Sequence, residues 1–541
     1  MKDGRHRTGV ADVNRLVSNV RWGQLSNYLS VPTDCPQRNE RLGWAGDTQV
    51  FGEAGAYLAR TAPFLRKWLR DLRDNQSEDG GFTSTAPVAQ GYGRDAFMFG
   101  SADAGVIVPW TLWRMFGDRQ ALEEHYEAMA RFVRRLDETR YDFEKRLGYI
   151  YADWLSFETF ESHGNKFGHF GNWKYHPHAI AYRRFLAACY WLYDAGLMAR
   201  MAEALGRGRD ADFFRGSESR ALSHIRSTYL EEDGLLLRPM RHLQTACVFA
   251  LRFGIVTGRA REGTKALLLK SIREHGDCLQ TGFLGTSLLM DTLTEVGAAD
   301  VAYTLLLQRK CPSWLYSVDQ GATTVWERWD SYTRERGFGP VGMNSFNHYA
   351  YGGPVLAWLF KTAAGIAPDA SAPGFARIAM APRPDRRLGF VRAAYDSAAG
   401  MVRSAWRYEG DEWIWEFTVP EGAVATVTVP GEEVSAEYRP GAYCVRRPAE
   451  SVRERPRRRP PELNPVFRDG LVLAAGKPVR VFGPGEGDVR VTFCGETRTA
   501  KGGPDGWLVE FPSAEAGGPY ELAVELDGRR TVLGDVRVGE V

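Results

Sequence analysis

FGEAGAYLARTAPFLRKWLRDL (51–72) decides how the first two thirds of the chain fold. Its apolar positions Phe51, Ala54, Leu58, Leu65, Trp68, Leu69 and Leu72 keep one face of a 3.6-residue period, which predicts an amphipathic helix. Similar stretches recur at 103–116, 118–138, 178–204, 241–257, 263–275, 285–297, 299–308 and 348–364. Turn signals separate several of them: DGG (79–81), FGD (116–118), EEDG (231–234) and FGP (338–340). About a dozen helices with neither a heptad nor a short fixed repeat suit a solenoid or a closed α/α barrel. In such a barrel the loops of alternating helices meet at one rim, where a site would sit.

After residue 366 or so the texture changes. WIWEFTVPEGAVATVTVPG (413–431) alternates apolar and polar positions around a Pro-Glu-Gly hairpin signal, which predicts a β-sandwich. VRRPAESVRERPRRRPPELNP (445–465) is rich in Arg and Pro. An extended, solvated linker is the favoured reading, with a basic docking motif as the alternative. KPVRVFG, DVRVTFCG, GWLVEFP, YELAVEL and TVLGDVRVG then recur between glycine turns and predict a second small sandwich.

The balance of 69 Lys and Arg against 67 Asp and Glu leaves a net charge of +2 on 541 residues. That gives no field to attract nucleic acid or an anionic membrane, so neither is an expected partner. Hydrophobic residues at 44% and charged ones at 25% exclude disorder for most of the chain. The longest apolar runs, such as VIVPW (106–110) and FLAACYWLY (185–193), are too short to span a bilayer. Seven scattered cysteines without a C-x-x-C pair read as a reduced, cytosolic chain. The start, MKDGRHRTGVADVNRL, shows no apolar stretch of a signal peptide, so a cytoplasmic location is expected. Sixteen Trp and 22 Tyr fit either a large core or a sugar-binding cleft.

No serine elbow, phosphate loop, H-E-x-x-H or dinucleotide fingerprint is found. His163, His169, His176 and His178 cluster in sequence, but without cysteines or ligand spacing they read as loop histidines and not as a metal site. SVPTDCPQRNERLGWAGDTQVF (30–51) sets Asp34, Glu40, Trp44 and Asp47 close together, in a stretch that Pro36, Gly43 and Gly46 mark as a loop. Neighbouring carboxylates raise one another's pKa, which suits general-acid chemistry on a sugar. A surface loop paired with Arg38 and Arg41 is the equal alternative. In GATTVWERWDSYTRERG (321–337), Glu327 lies between Trp326 and Trp329, and its rival role is pairing with Arg328 or Arg334. IYADWLSFE (150–158) adds Asp153, Trp154 and Glu158. Two distant carboxylates meeting in an aromatic cleft fit glycoside hydrolysis.

DCPQRNERLGWAGD (34–47), VIVPWTLW (106–113), ADWL (152–155), TGFLGT (281–286), SWLY (313–316), GATTVWERWD (321–330) and SFNHYAYG (345–352) resemble, in order, the catalytic domain of glycoside hydrolase family 78, the α-L-rhamnosidases. The resemblance implies a mainly α fold, an (α/α)6 barrel over 1–368, followed by a β-sandwich over 369–445, a linker over 446–462 and a small sandwich over 463–541. It implies an inverting hydrolase releasing terminal α-L-rhamnose, with Glu40 as general acid and Glu327 as general base. Asp34 and Asp47 would hold sugar hydroxyls, Trp44 and Trp154 would pack on the ring, and His348 would bind a hydroxyl. Neither a metal nor a cofactor is implied, and oligomeric state is left open. Ser101-Ala102-Asp103 stands where the family often has Trp-Gly-Asp, so Asp103 is a further substrate-binding candidate and Ser101 opens the option of another sugar. Family members usually carry β-domains before the barrel, and this chain begins almost at the barrel. The tail resembles the β-domain that opens sialate O-acetylesterase-like proteins, without their Gly-Gln-Ser-Asn nucleophile, so no esterase activity is expected. A glycan-binding protein with a degenerate pocket is the remaining alternative, disfavoured because the carboxylates are all present.

Overall fold

The computed structural model describes residues 5–540, apart from 90–94, 143–151, 161–176, 339–343, 370, 433, 453–460, 465, 484, 486 and 503–505. Its helices are α1 (Ala11–Asn27), α2 (Ala45–Leu58), α3 (Ala62–Asp74), α4 (Ala104–Phe116), α5 (Arg119–Thr139), α6 (Phe157–Phe160), α7 (Pro177–Ala204), α8 (Gly208–Tyr229), α9 (Gln244–Arg252), α10 (Gly258–Glu274), α11 (Phe283–Glu295), α12 (Ala299–Leu307), α13 (Trp314–Asp319) and α14 (Val355–Trp358).

Burial sorts them into two rings. Helix α2, AGDTQVFGEAGAYL, is buried on nearly every side, whereas α3 buries only Leu65, Trp68, Leu69 and Leu72. A helix covered all round belongs inside, and one with a single apolar stripe belongs outside. The inner helices pack in sequence, α2 on α4, α4 on α7, α7 on α9, α9 on α11 and α11 on α14, and α14 returns to α2. The ring is therefore closed, an (α/α)6 barrel and not a solenoid. Helix α8 backs α7, α10 backs α9 and α12 backs α11. Helix α14 runs on into a π-turn, Leu359–Ala363.

The single helix expected over 51–72 is two, α2 and α3. Pro63 sits in the first turn of α3, where its missing N–H costs no hydrogen bond. Helix α2 also starts earlier than expected, so Asp47 lies in a first helical turn and not in a loop.

The strands that follow build a sandwich. One sheet takes β1 (Arg5–Thr8), β6 (Phe390–Ser397), β7 (Gly400–Glu409), β8 (Glu412–Val419) and β11 (Gly441–Pro448), in that order. The other takes β10 (Ala436–Tyr438), β9 (Val424–Val427), β5 (Arg377–Met380) and β4 (Ala367–Pro368). Strands β2 (Tyr332–Thr333) and β3 (Gly337–Phe338) form a separate hairpin. Strand β1 precedes the barrel in sequence yet pairs antiparallel with β6, Arg5 opposite Ala394 and Thr8 opposite Val391. The sandwich shares one apolar core with the barrel. Trp406 Nε1 donates to Ala363 O (2.7 Å), Ser404 Oγ to Ala364 O (2.6 Å) and Tyr57 Oη to Ile366 O (2.8 Å). Each bond satisfies a carbonyl that the end of the π-turn segment leaves free.

Residues 454–541 form a second compact unit with its own core, which includes Val481, Val491, Leu522 and Val536. Strands β12 (Val472–Ala474), β18 (Arg529–Gly539), β17 (Gly517–Leu526), β14 (Gly487–Phe493) and β15 (Glu496–Gly502) make a five-stranded sheet, and β13 (Pro478–Gly483) pairs with β16 (Trp507–Ser513). No helix among the described residues is long and apolar enough to cross a membrane. None of the seven cysteines is joined in a disulfide.

Candidate active site

The loop entering α2 is shaped by its own carboxylate. Asp34 Oδ1 accepts from Leu42 N (2.8 Å) while Asp34 N donates to Leu42 O (3.0 Å), so the two ends of the segment are pinned together. Arg38 and Glu40 stand between them. Glu40 Oε1 accepts from Trp44 Nε1 (2.8 Å), and Trp44 is the residue that caps α2. Asp47 follows in the first turn. A cavity of about 450 Å³ opens here, at the N-terminal ends of the inner helices. Asp34, Glu40, Trp44, Asp47, Trp154, Glu327 and His348 all line it.

Glu327 arrives from the segment between α13 and α14, beside α2 in the ring. It is 3% exposed, flanked by the buried Trp326 and Trp329, and its N–H donates to Ser345 O (2.9 Å). Arg38 joins the two halves. One terminal nitrogen contacts Glu327 Oε2 (3.0 Å), and the other contacts Glu40 Oε2 (3.0 Å) and Asp34 Oδ2 (2.9 Å). Adjacent nitrogens of one planar guanidinium thus hold Glu40 and Glu327, so their nearest oxygens lie no more than about 8 Å apart. Of the pairings weighed from sequence, that of the loop carboxylates with Arg38 is found, inside the cavity and not at the surface, and the others are not. Arg41 is exposed, and Arg328 pairs instead with Asp330 (3.0 Å). Arg38 was read only as a surface counter-ion; its place between two carboxylates in the motif was the available signal. Phe283 and Leu284, inside TGFLGT, also line the cavity and were not singled out.

Asp34, Glu40, Asp47 and Glu327 face that one guanidinium, an excess of three negative charges if all four ionise. Burial, then the charge of Asp34, raises the Glu40 pKa. Burial raises Glu327 to about 7, with Arg38 opposing and Asp34 and Glu40 adding to the rise. Burial, followed by the charges of Asp34, Glu327 and Glu40, lifts Asp47 well above the usual carboxylate range. Glu40, Asp47 and Glu327 are thus all held above the ordinary carboxylate range, and each affects the others.

His348 is neutral here: burial, helped by Arg38, lowers its pKa to about 3. Its Nδ1 accepts from Ala350 N (3.2 Å), which leaves the ring proton on Nε2. Nε2 stands 3.2 Å from Asp47 Oδ1 but is not aligned for a hydrogen bond, so that buried carboxylate oxygen has no partner. Buried polar atoms are rarely left so, and a bound hydroxyl would satisfy this one. Helix α1 holds the His348 segment closely: a Cβ on Gly23 would lie 2.3 Å from His348 O.

The third acidic segment is scaffolding. Asp153 accepts from Thr245 Oγ1 (2.5 Å) and from the N–H groups of Gly282 (2.7 Å), Leu284 (2.9 Å) and Gly285 (3.1 Å). It thereby caps α11 and fixes Trp154 beside Phe283. Glycine is required at 282, where a Cβ would meet Asp153 O and Trp154 O at 2.4 Å. Glu158 accepts from Gln244 N (2.7 Å) at the start of α9, and burial raises it to about 8.

Asp103 does not reach the cavity. It is fully buried at the start of α4 and accepts from Gly100 N (2.5 Å) and Tyr141 Oη (3.0 Å). It braces the Gly100–Ser101 wall from behind. Ser101 lines the cavity, but its hydroxyl is engaged, accepting from Gly46 N (3.1 Å) and donating to Ser84 O (3.2 Å). His163, His169 and His176 lie outside the described residues, and His178 is exposed on α7. Among the described residues no group of three or more His, Cys, Asp or Glu is placed to hold a metal ion.

The family model for the bacterial alpha-L-rhamnosidase 6 hairpin glycosidase domain matches residues 2–363, and that for the bacterial alpha-L-rhamnosidase C-terminal domain matches 365–442. An alpha-L-rhamnosidase of Streptomyces avermitilis is 39% identical over 427 residues, 79% of this chain and 38% of that protein. One from Formosa agariphila is 33% identical over 429 residues, 79% of this chain and 44% of that protein. The crystal structure of the Streptomyces avermitilis enzyme complexed with L-rhamnose superposes with a TM-score of 0.72 at 35% identity, over 82% of this chain and 42% of that one. The chain thus spans about two fifths of the length of the curated relatives it matches.

Proposed function

This chain belongs to the bacterial α-L-rhamnosidase six-hairpin glycosidase family, and on that basis we propose that it is an inverting glycoside hydrolase releasing terminal α-L-rhamnose. The observation that carries this reading is the position of Glu40 and Glu327 on the two terminal nitrogens of Arg38. Inverting enzymes hold their two carboxyls roughly 6.5–9.5 Å apart, leaving room for a water, and retaining enzymes about 5–5.5 Å. The bound set by Arg38 brings both carboxyls to one glycosidic bond and admits either spacing, so inversion rests on the family and is read from the anomer released.

In the proposed reaction Glu40, protonated, donates to the glycosidic oxygen as the C–O bond breaks. Glu327, ionised, takes a proton from the water that attacks the anomeric carbon from the opposite face. The raised pKa of Glu327 fits this division because the two groups are coupled: a proton on Glu40 removes one of the charges that lifts Glu327. Asp34 and the unpartnered Oδ1 of Asp47 accept from sugar hydroxyls, His348 Nε2 donates, and Trp44 and Trp154 pack on the ring. The sugar is small and neutral, and no metal enters any step. Seven cysteines without a disulfide are in keeping with the proposed reducing, cytoplasmic setting.

Glu40→Gln and Glu327→Gln test the reading. Each should cut turnover of an aryl α-L-rhamnoside by about 10²–10⁴-fold while the melting curve stays intact. Near-normal turnover in either variant removes that residue from its role. NMR of the first sugar anomer released should show inversion.

A further inference from the structure

The barrel encloses a second cavity, of about 350 Å³, in the same lumen. The catalytic cavity is built on the starts of the inner helices, and this one on their later turns: Glu53 in α2, Trp110 and Arg114 in α4, Asp291 in α11 and Lys361 in the π-turn. Gln49 stands between the two. Its Nε2 donates to Gly100 O (2.7 Å), in the wall of the catalytic cavity, and lies 3.3 Å from Tyr190 Oη.

The charges here cancel. Lys361 contacts Glu53 (2.8 Å) and Asp291 (2.6 Å), Arg252 pairs with Glu295, and Arg114 stands 3.5 Å from Glu53. Three cations face three carboxylates, so neither an anion nor a cation is favoured. Arg114 and Arg252 close α4 and α9, where helix dipoles favour positive charge, and that accounts for their position. It does not account for two further features. Gln49 is 7% exposed and its Oε1 has no hydrogen-bond partner. Trp110, Tyr193 and Phe253 are also left half-buried along the wall instead of being covered.

An unpartnered acceptor calls for a donor, half-covered aromatic faces call for C–H groups, and zero net charge calls for a neutral molecule. We propose that this cavity is a second, non-catalytic binding site for a neutral, hydroxyl-rich molecule of monosaccharide or polyol size. One of its hydroxyls donates to Gln49 Oε1, and its apolar face lies on the aromatic wall. The proposal holds whichever sugar the catalytic cavity cleaves.

Equilibrium dialysis of the full chain with radiolabelled L-rhamnose, D-glucose and glycerol tests it. At least one of the three should still bind Asp47→Asn, whose catalytic cavity is impaired. Ser287→Trp, which fills the second cavity, should weaken that binding by roughly tenfold or more while leaving aryl rhamnoside turnover unchanged. Trp110→Ala should weaken it as well, and carries the test if Ser287→Trp fails to fold. Loss of all binding in Asp47→Asn, or undiminished binding in both cavity variants, overturns the proposal. So does inorganic phosphate displacing the bound sugar. A wild-type chain that binds a sugar here yet hydrolyses no rhamnoside would defeat the proposed activity and leave this site standing.

Discussion

Replacing Arg38 by methionine keeps the apolar stem and removes the guanidinium shared by Asp34, Glu40 and Glu327. Breaking a buried ion pair by removing one partner costs about 3–5 kcal/mol, because the charge left behind is uncompensated. Carboxylates escape that cost by taking up a proton, at about 1.36 kcal/mol per pKa unit, so the loss must depend on pH. Arg38 opposes the burial that lifts Glu327 from the ordinary 4.5 to about 7. Without it the folded-state value climbs further, while the unfolded value stays put. A carboxyl whose folded value exceeds its unfolded one weakens the fold as pH rises past the unfolded value. The variant's deficit should therefore be smallest near pH 4 and reach about 3–5 kcal/mol by pH 8. In catalysis the base must be ionised, so the acid limb of kcat/KM should move upward by about one unit or more. Denaturant melts at both pH values and a pH–rate profile measure the two effects. An equal deficit at pH 4 and pH 8 with an unmoved limb would show that Arg38 only packs, and the electrostatic account would fall.

Asp47→Asn should stabilise the fold at pH 8 by on the order of 1 kcal/mol, seen as a higher melting temperature, because burial makes the ionised carboxylate costly. The gain should fade toward pH 4, where the native carboxyl is already protonated, and KM for an aryl rhamnoside should rise. Asp153→Ala leaves three backbone N–H groups and Thr245 without an acceptor, and should cost about 3–5 kcal/mol in chemical denaturation. Asp153→Asn should recover part of that loss, since its carbonyl still accepts. Gly23→Ala places a methyl 2.3 Å from His348 O, so α1 must shift, at about 1–3 kcal/mol. Its signature is a raised KM from a residue that does not line the cavity.

Periodicity and alternation made the helical barrel and the sandwiches legible, because both patterns follow directly from which face is buried. Helix α1 was not among the stretches read as helical; its apolar residues do not gather on one side, and it buries Asn19, Gln24 and Asn27 along with Val13, Leu16 and Val20. The break between α2 and α3 was hidden because Leu58 and Leu65 continue one period across it. The pairing of β1 with β6 was beyond reach, since nothing local in Arg5–Thr8 identifies a partner nearly four hundred residues away. In the site, residue types were readable and roles were not. Asp34, Asp47, Asp103 and Asp153 look alike as letters. Only their surroundings separate a carboxylate bound to Arg38, one with a free oxygen, one bracing a wall and one capping a helix. Arg38 was underrated for the same reason: a cation between acids in a loop looks like surface, until a buried carboxylate nearly three hundred residues away arrives to share it.

Strand β1 has a consequence for biosynthesis. Arg5–Thr8 leaves the ribosome ahead of the barrel helices, yet its hydrogen-bonding edge waits for Phe390–Ser397, which emerges only after every barrel helix has been made. Until then both edges stand open to other strands. An expression fragment ending after the π-turn would keep the whole helical ring but strand its leading segment, and should aggregate more readily than the intact polypeptide.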